Sequence, residues 1–242
     1  MSSPRPRVAC IAPVWNEGER IAAVVHGIPR NAVDEVLVID DGSTDDTRSH
    51  AERAGATVLS HVRNRGVGAA IRTGLDHARI HGFEIAVVIS GAGKSPPGQI
   101  PQVLQPVLDG RADFVLASRY LPGGSQERMP AIRRFGTRAY TFLFALLCRR
   151  PVSDASSGFR AIRLSILDDP GIDLAQDWLD HYELEPYLLF KALRGSARVI
   201  EVPTRIEYPR AEPGRSYTKM RAITGWWSIF RPVLVLALGL RR

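Results

Sequence analysis

Along this 242-residue chain, short apolar runs alternate with stretches of helical periodicity. Runs at Arg7–Ala12, Glu35–Ile39, Thr57–Ser60, Ile85–Ile89, Asp113–Ala117 and Arg198–Val202 read as strands. Val36-Leu37-Val38-Ile39 is continuously apolar rather than alternating, which marks a strand buried on both faces. Amphipathic patterns at Glu19–Ile28, Thr44–Ala54, Gly68–His81 and Ile100–Leu108 predict helices between these runs. Strand and helix in alternation specify an α/β fold, a doubly wound and mostly parallel sheet. The second half is more helical: Ala131–Cys148 and Glu183–Leu193 read as helices, separated by a loop region that holds Asp154 to Arg160. No repeat, low-complexity segment or linker divides the chain, so a single domain is expected.

The polar residues of interest fall where strands end, the edge at which open parallel sheets bind ligands. Val38-Ile39 runs into Asp40-Asp41-Gly42-Ser43-Thr44-Asp45. Tandem carboxylates there suit a ligand rich in hydroxyl and amide donors, such as the ribose and base of a nucleotide. Pro13-Val14-Trp15-Asn16-Glu17 follows the first strand, where Asn16 or Glu17 equally reads as a cap for the next helix. Arg63-Asn64-Arg65-Gly66-Val67-Gly68 leads into a helix N-terminus, a setting for a diphosphate. Gly74 is misplaced for a dinucleotide fingerprint, which argues against a nicotinamide dehydrogenase.

A net charge of +7 points to anionic partners, whether phosphate groups, acidic lipid or nucleic acid. The basic residues are spread rather than clustered, so no nucleic-acid partner is expected. Cys10 and Cys148 lie far apart in apolar surroundings and read as buried small hydrophobes of a reducing compartment. Met1 to Arg7 resembles a short polar tail rather than a signal peptide, and a cytoplasmic protein is expected. Ile229 to Leu240 is apolar but broken by Arg231 and Pro232, short of the roughly 20 residues that span a bilayer. With Trp226 and Trp227 before it, the segment suits a peripheral membrane contact, or a helix packed on the core or on a second copy in a homodimer. Packing is the expectation.

Taken together, Pro13, Asn16 and Glu17, Asp40 to Asp45, Asn64 to Gly74, Ser118-Arg119-Tyr120 and Asp154-Ala155-Ser156-Ser157-Gly158-Phe159-Arg160 resemble the inverting glycosyltransferases of family 2. The likeness is strongest to the polyprenyl-phosphate sugar synthases and their cytosolic relatives, and runs from about Val8 to the tryptophan pair. It implies a GT-A fold whose residues 1–125 bind a nucleoside diphosphate sugar, a GDP- or UDP-hexose. Residues 126–225 would form the acceptor side, and 226–242 a C-terminal apolar helix. Pro13, Asn16, Glu17, Asp40, Asp41, Arg65, Gly68, Arg72, Ser90, Ala92 and Arg119 would then meet the donor.

Such enzymes carry Asp-x-Asp followed by Gln after the fourth strand, for a divalent metal. Here Ser90 and Ala92 replace both carboxylates and Lys94 the amide. Hard cations need oxygen ligands, so no Mg²⁺ or Mn²⁺ is expected to be required, and Lys94 is expected to supply the positive charge. Arg133 and Arg134 would grip phosphate, or simply open a solvated helix. A polyprenyl phosphate acceptor needs no base; a small hydroxyl acceptor does, with Asp154 first and Glu183 and Glu185 next. Two residues apart on one helix, Glu183 and Glu185 face opposite ways, so one should meet solvent. Tyr217, Thr218 and Lys219, on a loop from Arg210 to Met220, would close over the donor. The alternative reading is a catalytically silent subunit that binds a sugar nucleotide.

Overall fold

The computed structural model describes residues 5–208 and 224–240. Its centre is a seven-stranded sheet of β1 (Val8–Val14), β2 (Glu35–Asp40), β3 (Thr57–Ser60), β4 (Ile85–Val88), β5 (Phe114–Ser118), β7 (Arg160–Arg163) and β8 (Val199–Pro203), in the order β3-β2-β1-β4-β7-β5-β8. A second, two-stranded parallel sheet pairs β6 (Ser125–Glu127) with β9 (Arg205–Glu207). β1 runs two residues further than its apolar pattern suggests, so Pro13 and Val14 still pair with Ile39 and Asp40. The first binding loop therefore starts beside the carboxylates of β2.

β1 shows why the sheet is covered on both sides. Ala9 and Ile11 point into one core, shared with α3 (Val67–Ile80), α5 (Ala131–Cys148), α6 (Leu184–Arg194) and α7 (Thr224–Ala237). Val8, Cys10, Ala12 and Val14 point into the other, against α1 (Arg20–Gly27), α2 (Thr47–Arg53) and α4 (Ile100–Leu108). This period-two division buries every β1 side chain except that of half-buried Pro13. Cys10 and Cys148 consequently sit in different cores, and burial pushes their thiols up to about 12 and about 11. At Gly74 an added Cβ would lie 2.5 Å from Ile11 Cγ2, so α3 needs a glycine to rest on the sheet.

Three short strands depart from the sequence reading: β6 and β9, which no apolar run announces, and β7. Residues 160–163, expected in a loop, form β7, antiparallel to both β4 and β5 and inserted between them. Arg-Ala-Ile-Arg is too short to display a period, and its arginines hide its strand character. The C-terminal segment packs on the body of the molecule. α7 lies against α5 and α6 with Val233 buried and Trp226, Ile229 and Phe230 against the core. Trp226 rests on Gly136, where an added Cβ would come within 2.9 Å of the indole.

Candidate active site

A cleft of about 860 Å³ opens at the carboxyl ends of β1, β2 and β4, between the sheet edge and the first turns of α5 and α7. It is lined by Pro13, Glu17 and Asp41 after β1 and β2, by Ser90, Ala92 and Lys94 after β4, and by Arg119, Arg133, Glu185 and Tyr208 from later in the chain.

The donor-side wall is built by tying three loops together. Asn16 adopts φ +51°, donates its backbone N–H to Ser43 Oγ at 2.9 Å and accepts from the Thr44 amide at 2.8 Å. Asp40, 4% exposed, accepts from the Ser43 amide at 3.0 Å. Asn16 and Asp40 thus shape the loops and do not line the cleft. Glu17 does, buried beside Arg20 at 3.7 Å. Asp41 is held by the Arg65 amide at 2.9 Å, the Gly66 amide at 2.7 Å and His61 Nδ1 at 2.6 Å, and His61 Nε2 reaches Thr73 Oγ1 at 2.9 Å. His61 belongs to no metal-ligand spacing, and nothing local in the sequence marks it for this role.

The glycine loop before α3 is occupied by the protein itself. The Ala69 amide donates to Asp180 O at 2.9 Å, while the Arg65 and Gly66 amides are taken by Asp41. An added Cβ would lie 2.0 Å from Leu179 O at Gly68 and 2.3 Å from Asp180 O at Gly66. These glycines admit the 179–181 segment rather than a diphosphate. Arg65 is exposed with its side chain off the cleft. Arg72 bonds Asp180 and Leu174 O, and faces a separate smaller pocket with Asp76 and Arg79. Both arginines, expected at the donor, are outside the cleft: Arg65 sits exposed in the loop before α3, and Arg72 on α3 is taken by Asp180 and Leu174 O.

Across the cleft the charges are paired in depth. Arg119 forms a two-pronged bond to Asp154, Nε to Oδ2 at 2.7 Å and Nη2 to Oδ1 at 2.6 Å, with its own amide on Oδ2 at 3.0 Å. Burial works against the charged guanidinium, but Asp154 more than offsets it, and the Arg119 pKa moves up. Asp154 is 0% exposed and lies behind Arg119, not on the cleft wall. Glu201 fixes this corner by accepting the Ser153 and Asp154 amides at 2.9 and 3.2 Å. Arg119 also donates to Tyr208 Oη at 3.2 Å, and Arg133 stacks over the same ring at 5.4 Å. Arg134, one residue on, is exposed and off the cleft.

The glutamates correct the solvent expectation. Glu185 lines the cleft and pairs with Arg160 at 3.1 Å, over Gly158, where an added Cβ would lie 2.8 Å from Glu185 Oε1. Glu183 is buried as well, paired with Arg231 of α7 at 3.1 Å. The two glutamates do point different ways, but both directions are covered, Glu183 by Arg231 of α7 and Glu185 by Arg160, so neither is left to solvent alone. The buried Ser157 hydroxyl lines the cleft and has no hydrogen-bond partner among the described residues. His181, Tyr182 and Trp226 also line it, each presented by tertiary packing with no local motif. Tyr217, Thr218 and Lys219 lie outside the described residues.

A model of the glycosyl transferase family 2 matches residues 9–171. The chain belongs to that family. Among similar proteins, undecaprenyl-phosphate mannosyltransferase of Micrococcus luteus is 32% identical over 87% of this chain and 86% of its own. Polyprenol monophosphomannose synthase of Mycolicibacterium smegmatis is 29% identical over 83% and 77%. A UDP-N-acetylglucosamine–dolichyl-phosphate N-acetylglucosaminyltransferase of Methanococcus voltae is 27% identical over 95% of both chains. Among solved structures, glucosyl-3-phosphoglycerate synthase from Mycobacterium tuberculosis, in complex with Mn²⁺, UDP and phosphoglyceric acid, superposes with a TM-score of 0.71. It is 23% identical, over 98% of this chain and 80% of that one, and shows the shared fold. The residues here fit a divalent ion poorly. At the end of β4 the cleft presents a methyl group and an ammonium at Ala92 and Lys94, and the Asp41 oxygens are taken by amides and His61.

Proposed function

We propose that this glycosyl transferase moves a hexose, with inversion, from a nucleoside diphosphate sugar to a polyprenyl phosphate. Lys94 would serve as the fixed cation on the donor diphosphate. The observation that carries this reading is a single cleft of about 860 Å³ lined by Lys94, Arg119 and Arg133 together, cations enough for a donor diphosphate and an acceptor phosphate in one space. The names of the three relatives, each a transferase to a lipid-linked phosphate, support the acceptor class.

In this scheme a phosphate oxygen of the acceptor attacks the anomeric carbon as the bond from that carbon to the diphosphate oxygen breaks. The electron pair leaves with the diphosphate, where Lys94 stabilises the developing charge. An ionised phosphate carries no proton to be removed, and that agrees with Asp154 being committed to Arg119. The role left to Asp154 is to position Arg119. The cleft carboxylates Glu17, Asp41 and Glu185 are all engaged by neighbours, which favours direct displacement over a covalent sugar–enzyme ester. Glu185 is the carboxylate that would serve a hydroxyl acceptor.

The test is transfer from GDP- and UDP-hexoses to a detergent-solubilised polyprenyl phosphate, with and without EDTA. Transfer should survive chelation. Loss of a charge-assisted contact worth about 1.5–3 kcal/mol should make Lys94→Ala weaker by roughly 10- to 150-fold. Transfer abolished by EDTA, with Lys94→Ala like wild type, would return the site to metal assistance. Tight donor binding with no turnover under any condition would favour the silent sugar-nucleotide-binding subunit.

A further inference from the structure

Helix α5 has two apolar faces, and among the described residues only one is packed into the fold. Thr137, Tyr140, Thr141, Phe144 and Cys148 are buried against the core. On the opposite side Ile132 is 84% exposed, Phe135 75%, Phe142 72% and Leu146 61%, with exposed Ala139 completing the row. Spacings of three and four residues place them on one stripe, roughly half a turn from the buried one at about 100° per residue. An aligned row of large apolar side chains in water marks an interaction surface, unlike scattered single ones.

The charges say what covers it. Residues 128–153 contain six arginines and no carboxylate. Of these, Arg134, Arg138, Arg149 and Arg150 are exposed along α5 and at its end. A second copy packed on the stripe would set arginine against arginine. A protein partner would have to be both apolar and acidic. A bilayer surface with anionic headgroups offers acyl chains to the stripe and negative charge to its flanks. α7, packed against α5, also leaves Trp227 exposed, a side chain suited to the headgroup level.

The geometry points to α5 as an interfacial helix that docks the enzyme on anionic membrane through Ile132, Phe135, Phe142 and Leu146. This rests on the lipid-phosphate acceptor reading and deepens it. The first turn of α5 puts Ile132 and Phe135 on the stripe and Arg133 in the cleft, so the membrane surface and the cleft rim meet at consecutive residues.

The experiment is flotation of the full-length protein with vesicles of phosphatidylcholine alone or mixed with phosphatidylglycerol, beside light scattering for oligomeric state. Binding to the mixed vesicles is expected, weakened by salt. The double substitution Phe135→Ser/Phe142→Ser should reduce it by roughly tenfold or more while melting temperature and nucleotide binding hold. Arg134→Gln/Arg149→Gln should reduce binding without touching apolar packing. Vesicle binding unchanged in both variants would overturn the proposal. So would a wild-type dimer that does not bind vesicles and that Phe135→Ser/Phe142→Ser converts to monomer. Transfer to a short, water-soluble polyprenyl phosphate is measured separately: its absence, with vesicle binding intact, would count against the proposed reaction and leave the docking surface standing.

Discussion

Asp154→Ala separates a positioning role from a general-base role, because the two fail differently. The substitution removes three hydrogen bonds to Arg119, at 2.6, 2.7 and 3.0 Å, and strands a guanidinium that is itself only 5% exposed. Leaving a buried charge without its partner costs about 3–5 kcal/mol. A domain of this kind is stable by only about 5–15 kcal/mol, so the loss is a large share of the total. At about 2–4 °C per kcal/mol for a chain of this size, the melting temperature should fall by about 6–20 °C. Asp154→Asn keeps the volume and one acceptor oxygen but turns an NH₂ toward the guanidinium, and should fall between Ala and wild type. Replacing both partners, as Arg119→Met/Asp154→Leu, should restore much of the stability without restoring transfer. Differential scanning calorimetry and urea titration read the effect. An Asp154→Asn protein with wild-type melting and a lost acidic limb in its kcat profile would refute the reasoning and make Asp154 the base.

Other outcomes follow from the same geometry. Lys94→Gln should be nearly as damaging to donor affinity as Lys94→Ala, since it keeps length and loses charge; titration calorimetry with nucleoside diphosphates reads this. Gly68→Ala drives a Cβ to 2.0 Å from Leu179 O and should destabilise by about 2 kcal/mol or more, visible in urea unfolding. Gly158→Ala crowds Glu185 Oε1 and should lower transfer with a smaller change in melting temperature. Truncation after Trp227 removes buried Val233 and the Arg231–Glu183 pair, and should yield an insoluble or early-melting protein rather than a merely soluble variant that has lost vesicle binding.

Much of the fold can be read from the pattern of apolar residues, because sheet burial on both faces writes itself into continuous runs such as Val36 to Ile39. The span Ile100–Leu108 coincides with α4, and Ala131–Cys148 with α5. The candidate site is legible only where chemistry and chain position coincide, as at Glu17, Ser90, Lys94 and Arg119. Local reading fails where the partner is remote. Nothing near Gly68 announces that Leu179 will lie over it, and nothing near Glu183 announces Arg231. Arg65 and Arg72 have the residue type that phosphate binding wants, but Arg65 stands exposed in its loop and Arg72 is taken by the remote Asp180. The outer row of α5 is visible in retrospect as a second period-3.6 pattern superimposed on the first. Sequence alone does not say which of the two faces the core.

The insertion of β7 bears on how this chain can be made. β4 and β5 are both complete by Ser118, but neither pairs with the other; each waits for Arg160–Arg163 to arrive between them. A chain emerging from the ribosome therefore carries three strand edges that await later partners, one on β4 and both on β5, while residues 119–159 are still being added. Open edges are templates for wrong pairing, and closing them late, through partners distant in sequence, slows folding. A fragment ending near residue 125 would lack the strand that joins its own sheet, so it would not be a donor-binding module in isolation. Cutting the chain between β5 and β7 should yield two pieces that reassemble only as one piece threads a strand into the other. Recovery of a folded, nucleotide-binding complex from co-expressed pieces, with neither soluble alone, would be the signature.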